Sequence, residues 1–449
     1  MIHRRNLLYT TFAGISASNL SGKSTAMSTE NRNLLVVGAG RSDESGTLYG
    51  INTATGIEEW TFEMPSDRVA SSPTVVKGTV YVGSDDGSVY AVDAATGDLE
   101  WTFDENLYQV FSSPTVVDGT VYVGSVAGIV VAIDADSGEP EWTFTEPRDR
   151  IPGSPAVADG IVYVGSVDKQ MYAINADSGE AKWTFDEFEA PLAASPTVVD
   201  GTVYVGSGED SKEGTLYAVD AESGDKKWAF NEPKSPFISS PTVAEGTVYV
   251  GSDNGNVYAI DTGSGEAEWI FDDPDAFVFS SPTVADGSVY VGAADERLYA
   301  IGANSGEVKW TFKKPSAPIV ASPTVVDKTV YVGSGQFVES GTLYAVDTES
   351  GMAEWTFGKS EAPLVSSPTV VNDPTSGHSI DSRVQLGTLG HHHVRSNATN
   401  NTSQDDQSEG DKDNQPEGDN IPGFGAKDII IGLIGLVVVL YRQARNKDS

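Results

Sequence analysis

The sequence predicts an all-β fold: an eight-bladed β-propeller of four-stranded antiparallel blades, closed by pairing of a C-terminal strand with the N-terminal blade. Three observations lead there. The pattern Asp/Asn-x-x-Ser/Thr-Gly-x-x-x-Trp ends on Trp60, Trp101, Trp142, Trp183, Trp228, Trp269, Trp310 and Trp355, with spacings of 41, 41, 41, 45, 41, 41 and 45 residues. A fixed period in that range signals a repeat architecture. Each copy also divides into four short runs rich in Val, Tyr, Thr, Ile and Trp, bounded by Gly and Asp, which read as strands. The two end copies are incomplete in complementary ways.

The copy over residues 112–144 shows the unit: SPTVV, then TVYVGS after Asp118-Gly119, then IVVAID, then PEWTF after Asp134-Ala-Asp-Ser-Gly138. Gaps of two to five residues make hairpins, hence a meander. Val121-Tyr122-Val123 and Ile129-Val130-Val131 lack apolar/polar alternation, so the middle strands are covered on both sides. Sheets packed face to face around an axis provide that cover, and no copy has room for the two helices of a helical repeat. The first copy, from Leu34, lacks an SSPTV strand, whereas Ser366-Ser-Pro-Thr-Val370 has no YVGS partner. Joining them closes the ring and removes its exposed edges.

Residues recurring once per blade are structural. The tryptophans are expected to pack each outer strand on the next blade. Gly97 and its equivalents suit turns with positive φ. Asp93 and its equivalents, replaced by Asn52, Asn175 and Gly302, bond that turn. The Ser-Pro pairs open the strand that lines the axis, where proline costs least.

The run Tyr90-Ala-Val-Asp-Ala-Ala-Thr-Gly-Asp-Leu-Glu-Trp101 resembles the tryptophan-docking motif of the PQQ-like (quinoprotein-type) β-propeller repeat family. The resemblance covers residues 33–371. It implies either of two functions: the family includes quinone-dependent dehydrogenases and the scaffold lipoprotein of bacterial outer-membrane assembly. The dehydrogenases use a calcium-bound quinone, a catalytic aspartate and, in one branch, a disulfide on the cofactor. Here there is no cysteine, no histidine within the propeller, no long insertion and no unique Glu/Asn/Asp cluster. Catalytic residues, metal ligands and cofactor are therefore assigned as none, with PQQ disfavoured. A fold of this kind does not itself fix function.

Composition narrows the partners. With 28 basic and 65 acidic residues the net charge is −37, which disfavours nucleic acid and resembles the surfaces of proteins from salt-loving archaea. The absence of cysteine excludes a disulfide framework, thiolate metal sites, a lipobox and covalent c-type haem.

Function within a strict repeat is sought where it varies. The loop between the second and third strands is longer in blades 1, 5 and 8, at 40–46, 208–214 and 335–341, and the blade-to-blade linkers differ most in sequence. Loops on a rigid scaffold carry binding groups. The expected partner face comprises Arg68, Tyr108, Phe111, Arg148, Arg150, Lys234, Phe237 and Phe277. The reading is a monomeric, non-catalytic scaffold for a protein partner. The alternative is a small molecule, quinone-like or sugar, bound in the central channel, with a quinoprotein dehydrogenase as a third and less favoured reading.

The ends of the chain suggest location. Residues 1–26, with His3-Arg4-Arg5-Asn6-Leu7-Leu8 before an uncharged stretch, resemble a twin-arginine signal peptide. Residues 372–395 include His391-His392-His393, whose consecutive imidazoles are awkward ligands for one ion; a polar cap over the ring closure or an ordered tail is the expectation. Residues 396–420 form an acidic stalk with too few apolar groups for a core, with glycosylation sequons at Asn397, Asn400 and Asn401. Residues 421–449 hold Pro422-Gly423-Phe424, a short apolar run over 429–441, and Arg442, Arg445 and Lys447. That order resembles the sorting signal of haloarchaeal surface proteins, which is cut and replaced by a lipid; retained, the run would be a short membrane helix with its basic end inside. Either way the protein is expected at the cell surface, anchored through its C-terminus.

Overall fold

A computed structural model of the chain describes residues 33–41, 45–105, 107–208, 213–335, 340–358, 360 and 362–372. They form eight four-stranded antiparallel sheets, with strands β1–β32 numbered in chain order from Leu34–Ala39 to Thr369–Val371. Blade 2 sets the pattern, with β4 (Thr74–Val76), β5 (Thr79–Gly83), β6 (Val89–Asp93) and β7 (Leu99–Phe103) in sheet order. Each three-residue first strand touches its counterparts in the neighbouring blades, and the succession returns from β32 to β4. These short strands therefore ring the axis. Blade 1 is composite: β32 pairs with β1, Leu35 opposite Val370, and β2 (Thr47–Asn52) and β3 (Glu58–Phe62) follow outward. The complementary end copies thus make one blade.

The middle strands bury nearly every side chain, as their unbroken apolar runs require; Val80, Val82, Val121, Val123 and Val203 are fully enclosed. Eight apolar clusters lie between adjacent sheets rather than in one central core. The inner hairpins turn through Asp118 (φ 50) and Gly119 (φ 91), the two positive φ values of a type I′ turn.

Hydrogen bonds run continuously around the axis. The N–H of Ser72 donates to Ser113 Oγ, Ser113 to Ser154, and so on through Ser195, Ser240, Ser281, Ser322 and Ser367 back to Ser72, at 2.8–3.2 Å. Two positions further on, Thr74, Thr115, Thr197, Thr242, Thr283, Thr324 and Thr369 donate their hydroxyls to the proline carbonyl of the next blade at 2.5–2.7 Å. Blade 4 has Ala156 there, fully buried, so no threonine donates to Pro196. Serine and threonine at these positions satisfy backbone groups that an apolar inner strand would leave unpaired.

Every tryptophan bridges two blades. The indole N–H donates to the backbone carbonyl following the recurring Asp/Asn position of the next blade, which is Gly302 in blade 7, at 2.8–3.1 Å in all eight cases. The ring lies on that turn's glycine: a Cβ on Gly97, where φ is +77°, would come within 2.8 Å of Trp60. A side chain there is excluded both by backbone conformation and by the indole. Asp93 Oδ1 holds the turn, accepting from the N–H groups of Ala95 and Thr96 at 3.0 and 2.8 Å. The same bonding, led by the backbone N–H of Ser223, lowers the Asp220 carboxyl to about 2.

Candidate interaction face

The two ends of the barrel-shaped ring differ in chemistry. At one end are the hairpins that join first to second strands and third to fourth strands, here called the turn face. Its inner hairpins carry Asp118, Asp159, Asp200, Glu245, Asp286 and Asp327 at one register position, and Lys77 and Lys328 are the basic residues of these hairpins. At the other end, the linker face, the blade-to-blade linkers meet the loops between second and third strands. Backbone bonds clamp the two together: Asp85 N–H to Arg68 O (2.9 Å), Val126 to Gln109 (3.0 Å), Val167 to Arg150 (3.0 Å) and Ala294 to Phe277 (3.0 Å). A second set ties the following linker, as when Val110 N–H donates to Ser84 O at 3.0 Å. The linkers are therefore part of the rigid frame.

That clamping sorts the predicted face residues. One linker position is occupied by Val69, Val110, Ile151, Leu192, Phe237, Val278, Ile319 and Leu364, all fully buried. Phe237 is thus core, edge-on to Tyr258 at 5.7 Å, and offers no surface to a partner. Aligning the eight linkers would have exposed this all-apolar position; reading each linker separately hid it. Arg68 is also buried, its Nε and one terminal nitrogen 2.9 and 2.8 Å from Asp85 Oδ2. Its guanidinium lies 5.9 Å from the Phe111 ring. It therefore supports the face from beneath rather than projecting from it.

Burial pushes the Asp85 carboxyl up to about 6, against the opposing pull of Arg68, and among the described residues its Oδ1 has no hydrogen-bond partner. Tyr90 and Tyr172 donate to Asp86 and Asp168 at 2.8 Å, pinning two of the short loops. Burial and the facing carboxylate hold Tyr90 up at about 12.

The others reach the surface. Tyr108 is 72% exposed, held outward by a positive φ of 56°. Arg148 and Lys234 are exposed; Arg150, Phe111 and Phe277 are half-buried. One position beyond the core residue, Ala70, Phe111, Pro152, Ala193, Ile238, Phe279, Val320 and Val365 are all half-buried, two positions before the serine ring. They make an apolar collar at the linker-face end of the innermost strands. Phe277 stacks on Phe279, centroids 4.5 Å apart. Phe279 and Ile238 were missed because each sits beside a residue, Phe277 or Phe237, that already stood out.

These groups offer apolar contact, cationic ends and rigid backbone, the elements of a binding surface. Among the described residues no group of three or more His, Asp or Glu side chains is placed to hold a metal ion. His391–His393, the sequons at Asn397, Asn400 and Asn401, the motif Pro422-Gly423-Phe424, residues 1–26 and the tips of the three longer loops lie outside the described residues. Among the described residues no helix is long and apolar enough to cross a membrane.

The sequence matches the family described as outer membrane protein assembly factor BamB over residues 14–143, 109–229 and 212–421. The chain belongs to that family. In fold it is similar to BamB from Moraxella catarrhalis, at 17% identity and a TM-score of 0.55, over 65% of this chain and 86% of that one. It is also similar to the computationally designed Ika8 protein, at 18% identity and a TM-score of 0.60, over 69% of this chain and 93% of that one. At these identities the two structures speak for the fold alone. No curated protein matches the chain.

Proposed function

We propose that this BamB-family propeller is a non-catalytic scaffold that presents its linker face to a protein partner at the cell surface. The observation that carries the reading is the contrast between the two faces. The turn face repeats one acidic pattern, whereas the linker face, which has exposed carboxylates of its own at Glu146, Asp149, Asp272, Asp273 and Asp275, varies from blade to blade and adds exposed Tyr108, cationic Arg148 and Lys234 and the half-exposed apolar collar. Aromatic and arginine side chains on a rigid surface are the usual anchors of protein interfaces. The family's name, that of an outer-membrane assembly factor, agrees with a scaffold role.

The positions of the chain ends support an outward-facing orientation. Asn33 accepts from Thr53 in a turn-face hairpin at 3.2 Å, and Asn372 follows β32 at the end equivalent to Lys77. The described stretch therefore begins and ends at the turn face. An anchor at 421–449 on an acidic stalk would leave the linker face free, and a leader at 1–26 would deliver the protein there.

The test is capture from a cell-surface extract in high salt, using a propeller lacking residues 396–449. The control bait carries Tyr108→Ser, Arg148→Glu and Lys234→Glu. A protein held by the first bait and lost by the second, with both folded, is the expected result. Capture unaffected by the three substitutions would move the interface elsewhere, and a co-purifying small molecule alone would favour the channel. Separately, truncation after Asn420 should release the propeller into the medium; retention at the membrane would contradict anchoring by the tail.

A further inference from the structure

In each blade the loop after the second strand is tied to the preceding linker through one backbone N–H. The residue that supplies it is glycine in three blades and valine or alanine in three; only blades 2 and 6 carry a carboxylate there, Asp85 and Asp253. Two of the eight collar residues are aromatic, Phe111 and Phe279, and each stands on the blade that follows one of those aspartates. The backbone does not impose the pairing, because it repeats. Asp85 N–H donates to Arg68 O at 2.9 Å and Asp253 N–H to Pro236 O at 3.0 Å, while Val110 and Val278 donate to Ser84 O and Ser252 O at 3.0 and 3.1 Å. Blades 2 and 6 lie opposite each other in a ring of eight, so the two aspartate–phenylalanine pairs face across the channel mouth.

The chain fills the first pair itself. Arg68 donates through Nε and a terminal nitrogen to Asp85 Oδ2 at 2.9 and 2.8 Å, and its guanidinium carbon lies 5.9 Å from the centre of the Phe111 ring. A planar cation can meet a carboxylate at its edge and an aromatic ring at its face. On blade 6 the position of Arg68 is taken by Pro236. The linker is otherwise seated alike: a Cβ on Gly40 would meet Arg68 Cα at 2.7 Å, and one on Gly208 would meet Pro236 Cα at 2.6 Å. Asp253 thus stands in the register of Asp85 with no arginine beside it. Among the described residues it makes no ion pair and no side-chain hydrogen bond, and burial alone raises its carboxyl. Asp253 and Phe279 are only half-buried, and Phe277 stacks on Phe279 where blade 3 has Gln109. A partly desolvated carboxylate beside aromatic rings favours a cationic partner.

We propose that Asp253, Phe277 and Phe279 form a subsite for a guanidinium group, supplied by an arginine of the protein partner and seated as Arg68 is on blade 2. The inference rests on the reading of the linker face as a partner surface and names the side chain that this surface selects. The guanidinium bonds Asp253 and covers the Phe279 ring, with Phe277 extending the aromatic wall. An ammonium would supply the charge without the planar face. The net charge of −37 draws cations to the whole molecule; the carboxylate–ring pair decides where one is held.

The probe is Nα-acetylarginine amide, added to the full chain carrying para-fluorophenylalanine, with the fluorine resonances of Phe277 and Phe279 assigned through Phe277→Leu and Phe279→Leu. Saturable shifts of both are expected, with Nα-acetylcitrulline amide, the neutral isostere, binding at least about tenfold more weakly. Asp253→Asn should weaken arginine binding by a similar factor. Pro236→Arg supplies the cation from the linker and should abolish the shifts while the thermal transition is kept. Absence of saturable shifts would overturn the proposal, as would shifts unchanged in Asp253→Asn and Pro236→Arg with both folded, or a lysine amide binding as tightly. Its failure is separable from that of the scaffold reading. A protein held by the stalkless bait, lost with Tyr108→Ser, Arg148→Glu and Lys234→Glu, and still held by Pro236→Arg would keep the scaffold and remove the arginine subsite. Probe binding with no protein captured would support the subsite and contradict the scaffold.

Discussion

Trp355 donates its indole N–H to the backbone carbonyl of Thr53 at 2.8 Å, across 302 residues of sequence. It is the same bond that each other tryptophan makes to the following blade, so the interface between blades 8 and 1 is built like the other seven. Trp355→Phe keeps most of the apolar contact and leaves the Thr53 carbonyl without its donor. The bond is only partly buried, so the expected cost is about 0.5–1.5 kcal/mol, the net worth of one hydrogen bond. Urea denaturation of the variant beside Trp142→Phe checks it; similar losses would confirm equivalence of the interfaces.

The closing strand should matter more than any single indole. Ser366 Oγ accepts from Gly38 N–H at 2.7 Å, Ser367 N–H donates to Ser72, and Thr369 donates to Pro73. Truncation after Pro363 removes all three and bares the edge of β1. Loss of the cooperative thermal transition and aggregation during gel filtration are expected. Truncation after Asn372 should leave the transition cooperative.

The threonine ring can be completed. Ala156 is fully buried where seven blades place a donor, and Ala156→Thr has the same local geometry available. A gain of about 0.5–1.5 kcal/mol is expected from the added bond. A loss in thermal denaturation would mean that blade 4 lacks room for the extra atoms.

Asp85 gives a pH dependence of defined sign. Burial raises its carboxyl from 3.8 to about 6, opposed by Arg68. The folded state therefore holds a proton that the unfolded chain releases, and the contribution is complete below pH 3.8 and lost as pH rises through about 6. The loss is on the order of 3 kcal/mol. Asp85→Asn cannot ionise, so its stability plotted against pH should lack this slope. A parallel pair of curves would show that Asp85 stays ionised in the fold.

Much was legible from residue order because the architecture repeats. Position within a blade decides whether a strand is inner or outer, so the eight tryptophans, the turn glycines and the complementary ends announced the blades and their closure. The same periodicity that revealed the frame hid the exceptions. Phe237 looked like a surface aromatic until its clamped linker placed it beside Tyr258, and Arg68 looked like a free cation until the loop bearing Asp85 folded onto it.

The sequence by itself determined the number of blades, the strand order, the role of the tryptophans and the acidic character of the chain. Each follows from local pattern and spacing, which chain connectivity carries directly. Only the tertiary structure decided which linker residues face outward and that eight serines close a ring of hydrogen bonds. Those depend on contacts between segments far apart in the chain, where side-chain direction is set by the packing of one blade on the next.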